Sequence, residues 1–323
     1  MTLTDEQILI ASVSAFRIGD TERPWNLDSL NITSEIDIFR SDTEDGGFDA
    51  GYITETEDEI IVSFRGVAIP VLNTGLRGVI QDWQNAAERH LMLHPSMSGK
   101  VHKGFWDSIL NLENKGIFDS VVQRLASGKR LVVTGYSKGG ALAPLAVSRL
   151  IGGYNVDPSL LRLCFFAAPK CGDEEFVTNI NTTVHSIVRY ESQYDLIPHF
   201  PYDDQFLDIV APAFPLIARK LLFARNNPNF IQYIPGSAEY QHIGQLKFVD
   251  ADNQLIQTLG PNFREQRYRQ LAQKIEPFTT TAAVSSSILS RHSPRFIQEA
   301  ITDSTGINNS QDEIVKLSTK RKF

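Results

Sequence analysis

Short runs of β-branched and aromatic residues recur along this chain, separated by longer stretches with helical spacing. Tyr52 to Thr54 and Ile60 to Phe64 alternate on either side of a Glu57-Asp58-Glu59 turn, the pattern of a hairpin. Apolar runs at Leu131–Thr134, Leu161–Phe166, Val184–Arg189 and Leu246–Val249 read as short buried strands. Phe105 to Leu125 predicts one helix. A second, rich in small residues, is predicted from the segment after Ser137 to about Ile151, stopped by Gly152 and Gly153. At the start, Thr4 and Gln7 make a capping box, and Ile8, Ala11, Ala15 and Phe16 fall on one face of an amphipathic helix. Strands that alternate with helices predict an α/β protein whose mostly parallel central sheet is flanked by helices.

Composition narrows this picture. The 323 residues carry a formal net charge of −7, with 42 % hydrophobic and 10 % aromatic residues. Such a chain has ample apolar material for a core, and its acidic balance lacks the electrostatic footprint of a nucleic-acid binder. Cys164 and Cys171 form no CxxC pair and cannot staple a chain of this length, so neither a metal site nor a disulfide framework is expected. Asp5 and Glu6 stand where a signal peptide would be basic. The most apolar later window, Phe206–Ala224, is interrupted by Asp208, Pro212, Pro215, Arg219 and Lys220. A cytoplasmic protein without a transmembrane segment is the expectation, with export lacking a signal still compatible. Residues 1–302 read as one domain, and the polar run from Asp303 predicts a frayed tail over 303–323.

The strongest chemical signal is Gly135-Tyr136-Ser137-Lys138-Gly139, which follows an apolar strand and opens a helix. That context is a strand–elbow–helix turn, where small residues let neighbouring backbones approach a serine held at a helix N-terminus. Pro144 fits this helix poorly, because it removes one hydrogen bond inside it. A serine hydroxyl needs a base, and the base needs an acid to orient it. Asp195 follows the Val184–Arg189 strand, at the end of the sheet where such residues gather. Downstream, His199, His242 and His292 are the histidines available to close the set, and His199 is only four residues from Asp195.

Several further motifs occur in order. Ile61-Val-Ser-Phe-Arg65-Gly66 is a strand ending in Arg-Gly. Asp82-Trp83, Val101-His102-Lys103-Gly104-Phe105, the elbow Gly135–Ala143, Phe166-Ala-Ala-Pro169-Lys-Cys-Gly172 and Asp195-Leu-Ile-Pro198 follow it. Together, over roughly residues 47–250, they resemble the class 3 lipases, the fungal-lipase-like branch of the α/β-hydrolase fold. The resemblance implies Ser137 as nucleophile, Asp195 as acid and His292, in Ser290-Arg-His292, as base. His242, in Gln241-His-Ile-Gly244, looks like the family's structural His-x-Gly strand element, and His102 reads as structural too. The oxyanion hole would use the backbone N–H groups of Val67 and Lys138. Val67 replaces the family's usual Ser or Thr, and Lys138 its usual Leu; a Lys there would either favour anionic substrates or lay its stem along the sheet edge.

Two stretches then read as candidate lid or cap insertions, residues 67–81 and about 206–234. Ile69 and Leu72 from the first, and Leu216, Ile217 and Leu221 from the second, are the candidate acyl-contacting residues. The expected activity is that of a serine-dependent carboxylic-ester hydrolase, a lipase or esterase acting on lipid or other acyl esters without cofactor or metal, with transient lipid-surface contact. A catalytically inert lipase-like scaffold, or a lipid acyltransferase using the same three residues, is the alternative.

Overall fold

The computed structural model describes residues 2–19, 25, 27–43, 47–66, 91–214, 240–256, 258–276 and 291–305. The strands are β1 (Asp37–Asp42), β2 (Phe48–Glu55), β3 (Glu59–Phe64), β4 (Leu91–Leu93), β5 (Lys100–His102), β6 (Arg130–Tyr136), β7 (Leu161–Phe166), β8 (Gly172–Asp173), β9 (Ser186–Ser192), β10 (Tyr240–Gln241), β11 (Gln245–Val249) and β12 (Leu255–Ile256). The helices are α1 (Asp5–Ser14), α2 (Lys103–Glu113), α3 (Ile117–Leu125), α4 (Lys138–Tyr154), α5 (Glu174–Thr183), α6 (Asp204–Ile209), α7 (Phe263–Ile275) and α8 (Pro294–Thr305).

Eight strands form one sheet in the order β1-β2-β3-β6-β7-β9-β11-β12. Neighbours from β3 to β11 are parallel, and antiparallel pairs lie at both edges. The predicted hairpin is β2–β3. The central strands are apolar on both faces because helices cover both. One core lies under α2, α3 and α4, around Phe64, Trp106, Leu145 and Phe176. The other lies under α1 and α8, around Ile8, Tyr52, Tyr136 and Ile297. Four strands of two or three residues, β10-β8-β5-β4, make a second, antiparallel sheet beside the first.

Several elements depart from expectation for local reasons. The capping box at Thr4 and Gln7 forms, but α1 is not amphipathic in its surroundings: every residue from Ile8 to Ser14 is buried. Its hydroxyls bond backward, Ser12 to the Leu9 carbonyl and Ser14 to that of Ile10, which lets them enter an apolar layer. The single helix expected over 105–125 is two helices. The chain breaks at Gly116, whose φ of +85° ends one and starts the next. Conversely, α4 passes through Gly152 and Gly153 and ends at Asn155, which takes the left-handed conformation. Gly152 is there for closeness, since a Cβ would come within 2.1 Å of the Ser96 carbonyl oxygen.

Strand β9 begins at Ser186, two residues late, because Val184 closes α5. Residues 206–214 do not stand off as a cap: Phe206, Val210 and Phe214 are buried in the main core. Helix α8 also continues through residues 303–305, which composition assigns to the tail. The rest of the expected tail, the 67–81 segment and residues 215–234 lie outside the described residues.

Candidate active site

The β-branched run of β6 delivers the chain to Ser137 in the middle of the parallel sheet. Ser137 has φ 59° and ψ −127°, a backbone conformation that L-residues avoid. Packing enforces it. A Cβ on Gly135 would lie 2.2 Å from the Gly139 carbonyl oxygen, and one on Gly139 would lie 2.1 Å from that of Phe64. The Ser137 N–H is held by the Phe166 carbonyl at 3.0 Å on the adjacent strand. The side chain thus stands at the N-terminus of α4, where first-turn N–H groups lack helical acceptors.

Asp195 lies three residues beyond β9. Its Oδ1 accepts the Ile197 N–H at 2.9 Å, leaving Oδ2 for a second partner. That partner is His292 Nδ1, at 2.8 Å and 97 residues away in sequence. Both side chains are almost fully enclosed, 3 % exposed for His292 and 1 % for Asp195. An ionised carboxylate only accepts, so the contact places the proton of a neutral imidazole on Nδ1 and leaves the Nε2 lone pair free. Nε2 and Ser137 Oγ are both buried, and neither has a hydrogen-bond partner among the described residues. Such bonds are often long in enzymes without substrate. The Tyr136 ring packs 5.2 Å from the imidazole, a neighbour that the motif alone does not reveal.

The other histidines are occupied differently. His242 Nδ1 faces Glu191 Oε1 at 3.6 Å, and the same buried carboxylate takes Arg189 and Arg267. His199 is wedged between Phe206 and Tyr268, with ring centroids at 5.3 and 5.0 Å. Burial first, then the Arg267 charge, pushes its imidazole well below the ordinary value. His102 caps α2, its Nδ1 accepting the Phe105 N–H at 3.4 Å.

The Lys138 side chain does not reach toward a substrate. Its Nζ is bound to Asp49 Oδ1 at 2.8 Å, so of the two readings the anion-attracting one is not what the side chain does: it is engaged in a buried ion pair. Asp49 was not singled out in the sequence. Its signal was indirect: a lysine directed into an elbow requires an acid. Val67, Ile69, Leu72, Leu216, Ile217 and Leu221 lie outside the described residues.

A mostly parallel sheet between helical layers, with a strained serine after a central strand and an Asp–His pair at the same end, defines the α/β-hydrolase fold. More narrowly, residues 61–205 match the lipase (class 3) family, so the likeness carried by the ordered motifs holds across that segment. Among solved structures, a Rhizomucor miehei lipase propeptide complex superposes with a TM-score of 0.56 at 17 % identity, covering 87 % of this chain and 80 % of that one. Lipase II from Rhizopus niveus gives 0.52 at 19 % identity, covering 76 % and 78 %. A triacylglycerol lipase described by its serine-protease triad gives 0.53 at 21 %, covering 77 % and 79 %. No curated relative matches the chain in sequence.

Proposed function

We propose that this chain is a serine-dependent carboxylic-ester hydrolase acting on lipid acyl esters. The observation that carries the reading is the buried contact of His292 Nδ1 with Asp195 Oδ2 at 2.8 Å, beside a serine in an enforced elbow. Ser137 Oγ attacks the ester carbonyl and its proton passes to His292 Nε2. Asp195 holds the imidazole in the required tautomer and favours the imidazolium as it forms. The N–H groups of Lys138 and Val67 receive the developing oxyanion. His292 then protonates the leaving alcohol, and water, deprotonated by the same histidine, releases the acid. The apolar residues Ile69, Leu72, Leu216, Ile217 and Leu221 supply the acyl-contacting surface in this reading, and the family match over 61–205 supports ester chemistry.

Intact-mass labelling by a fluorophosphonate tests this without a chosen substrate. One label per chain is expected in the wild type, none in Ser137→Ala, near-complete loss in His292→Ala and retention in His242→Ala. Asp195→Asn should slow labelling by up to about 10⁴-fold, because the neutral amide no longer fixes the tautomer. A folded wild type that stays unlabelled with detergent present would point to a scaffold without chemistry. Product analysis with added alcohol separates hydrolysis from acyl transfer.

A further inference from the structure

Lys138 opens α4 directly after Ser137, and its ammonium is fastened to Asp49 near the start of β2. Asp49 Oδ2 takes a second hydrogen bond from Asn111 Nδ2 on α2, at 2.9 Å. Side-chain exposure is 18 % for Lys138 and 3 % for Asp49, so the charges meet largely away from water. Burial would raise the Asp49 carboxyl, but Lys138 and Asn111 outweigh it and hold the group below its ordinary value. Two charges taken out of water persist only when each has its partner.

The location of Asp49 gives the pair a further consequence. Asp49 precedes Ala50, whose carbonyl accepts the Arg65 N–H at 2.9 Å where β3 leaves the sheet. On the elbow side, Gly139 rides against the same place: a Cβ there would lie 2.1 Å from the Phe64 oxygen and 3.1 Å from the Arg65 carbonyl carbon. The elbow, the end of β3 and the start of β2 are therefore fastened into one unit. One tie is backbone contact and the other is this ion pair.

We propose that the Lys138–Asp49 pair is a positioning device for the Lys138 backbone N–H, holding that donor at a fixed separation from the end of β3. The proposal rests on the reading of Ser137 as nucleophile. Stabilising an oxyanion depends on donors already in place when charge develops, so a donor free to shift loses much of its effect. A side chain anchored to both β2 and α2 resists such a shift, whereas an apolar side chain at 138 would pack without fixing a direction. The pair carries no net charge, so it acts through geometry rather than by attracting anionic substrates.

The test is the double variant Lys138→Met with Asp49→Asn, which removes both charges together and keeps a polar partner for Asn111. Its thermal midpoint should lie close to wild type, and its fluorophosphonate labelling rate should fall by about ten- to a hundredfold. On a soluble nitrophenyl ester the loss should appear in kcat with KM little changed. Lys138→Arg, which keeps the pair, should retain most of the rate. Asp49→Glu, longer by one methylene, supplies a second route should the double variant not fold: it should slow labelling while leaving the circular dichroism of wild type. Wild-type rates in the folded double variant or in Asp49→Glu would overturn the positioning role alone. An unlabelled wild type would overturn the hydrolase reading and this inference with it.

Discussion

Lys170 is a lysine in a setting that disfavours its charge. It lies in the turn between β7 and β8, 3 % exposed, with Asp203 Oδ2 at 3.6 Å. Asp203 is shared with Arg264, so the lysine has only part of a carboxylate. Burial, reinforced by the Arg264 charge and only partly offset by Asp203, pulls its ammonium down to about 8 from an ordinary 10.5. The folded state then binds the proton less tightly than the unfolded one. Below pH 8 the penalty is present in full; between 8 and 10.5 the unfolded chain holds more protons, so this group's contribution to stability rises with pH. The displacement corresponds to about 3 kcal/mol. Lys170→Met should therefore be more stable than wild type in urea unfolding at pH 7, by up to about 3 kcal/mol, with a margin that narrows by pH 9.5. A margin that does not change with pH would mean that the ammonium is satisfied.

The same scale shows what single residues disclose in sequence. Ser137 and Asp195 could be located because each sits at a strand end inside a short motif. His292 needed the resemblance, since its relation to Asp195 spans 97 residues that no local pattern encodes. Asp49 and Tyr136 were missed for the same reason. Each acquires its partner only when strands or helices distant in sequence are brought together.

Among the elements, α1 illustrates how polar contacts select a docking position that apolar packing alone would leave loose. Asp5, in its first turn, accepts hydrogen bonds from Arg162 on β7, Tyr190 on β9 and Lys247 on β11, at 2.5, 2.5 and 2.6 Å. One carboxylate thereby spans three adjacent parallel strands. Burial would raise its proton affinity, but Lys247, Tyr190 and Arg162 together hold it below the ordinary carboxylate value. Stability from this group is complete above the unfolded value and is lost as pH falls through the depressed folded one. Asp5→Ala should cost about 2–3 kcal/mol at pH 7, since hydrogen bonds to a charged group exceed neutral ones. The gap from wild type should shrink in acid; a gap unchanged by pH would implicate helix propensity or packing instead.

Strands β2, β3, β6, β7, β9 and β11 were legible because an alternating or mostly apolar run of three to six residues marks each; β1 was not, because Asp37, Arg40, Ser41 and Asp42 surround its two apolar residues. The small β10-β8-β5-β4 sheet was not legible either. Its strands are two or three residues long, below any period, and β8 pairs with β5 and β10 from distant parts of the chain. Helix ends were misplaced where glycine served closeness rather than termination, as at Gly152.

For the molecule as a whole, the family match ends at residue 205, yet the partner of Asp195 comes from residue 292. What returns that residue to the site is the closure of α1 and α8 over one face of the sheet. Helix α8 begins two residues after His292 and packs on α1 through Ile297, Ala300 and Ile301, all buried in the second core. Thr302 Oγ1 also donates to Glu6 Oε1 at 3.0 Å. If this closure places His292, weakening it at a distance from the imidazole should affect labelling before global unfolding does. Ile297 is fully buried, so Ile297→Ala should cost about 2–4 kcal/mol through lost transfer energy and the cavity left behind. Because α8 adds no strand to the sheet and is held to it by side-chain contacts, part of that cost should appear as local opening rather than loss of the whole fold. The expected result is a fluorophosphonate labelling rate that falls with rising temperature several degrees below the far-ultraviolet unfolding midpoint, while wild type loses both together. Coincident losses in Ile297→Ala would show that α8 melts only with the sheet, and that His292 is held by its contact with Asp195 rather than by the helix behind it.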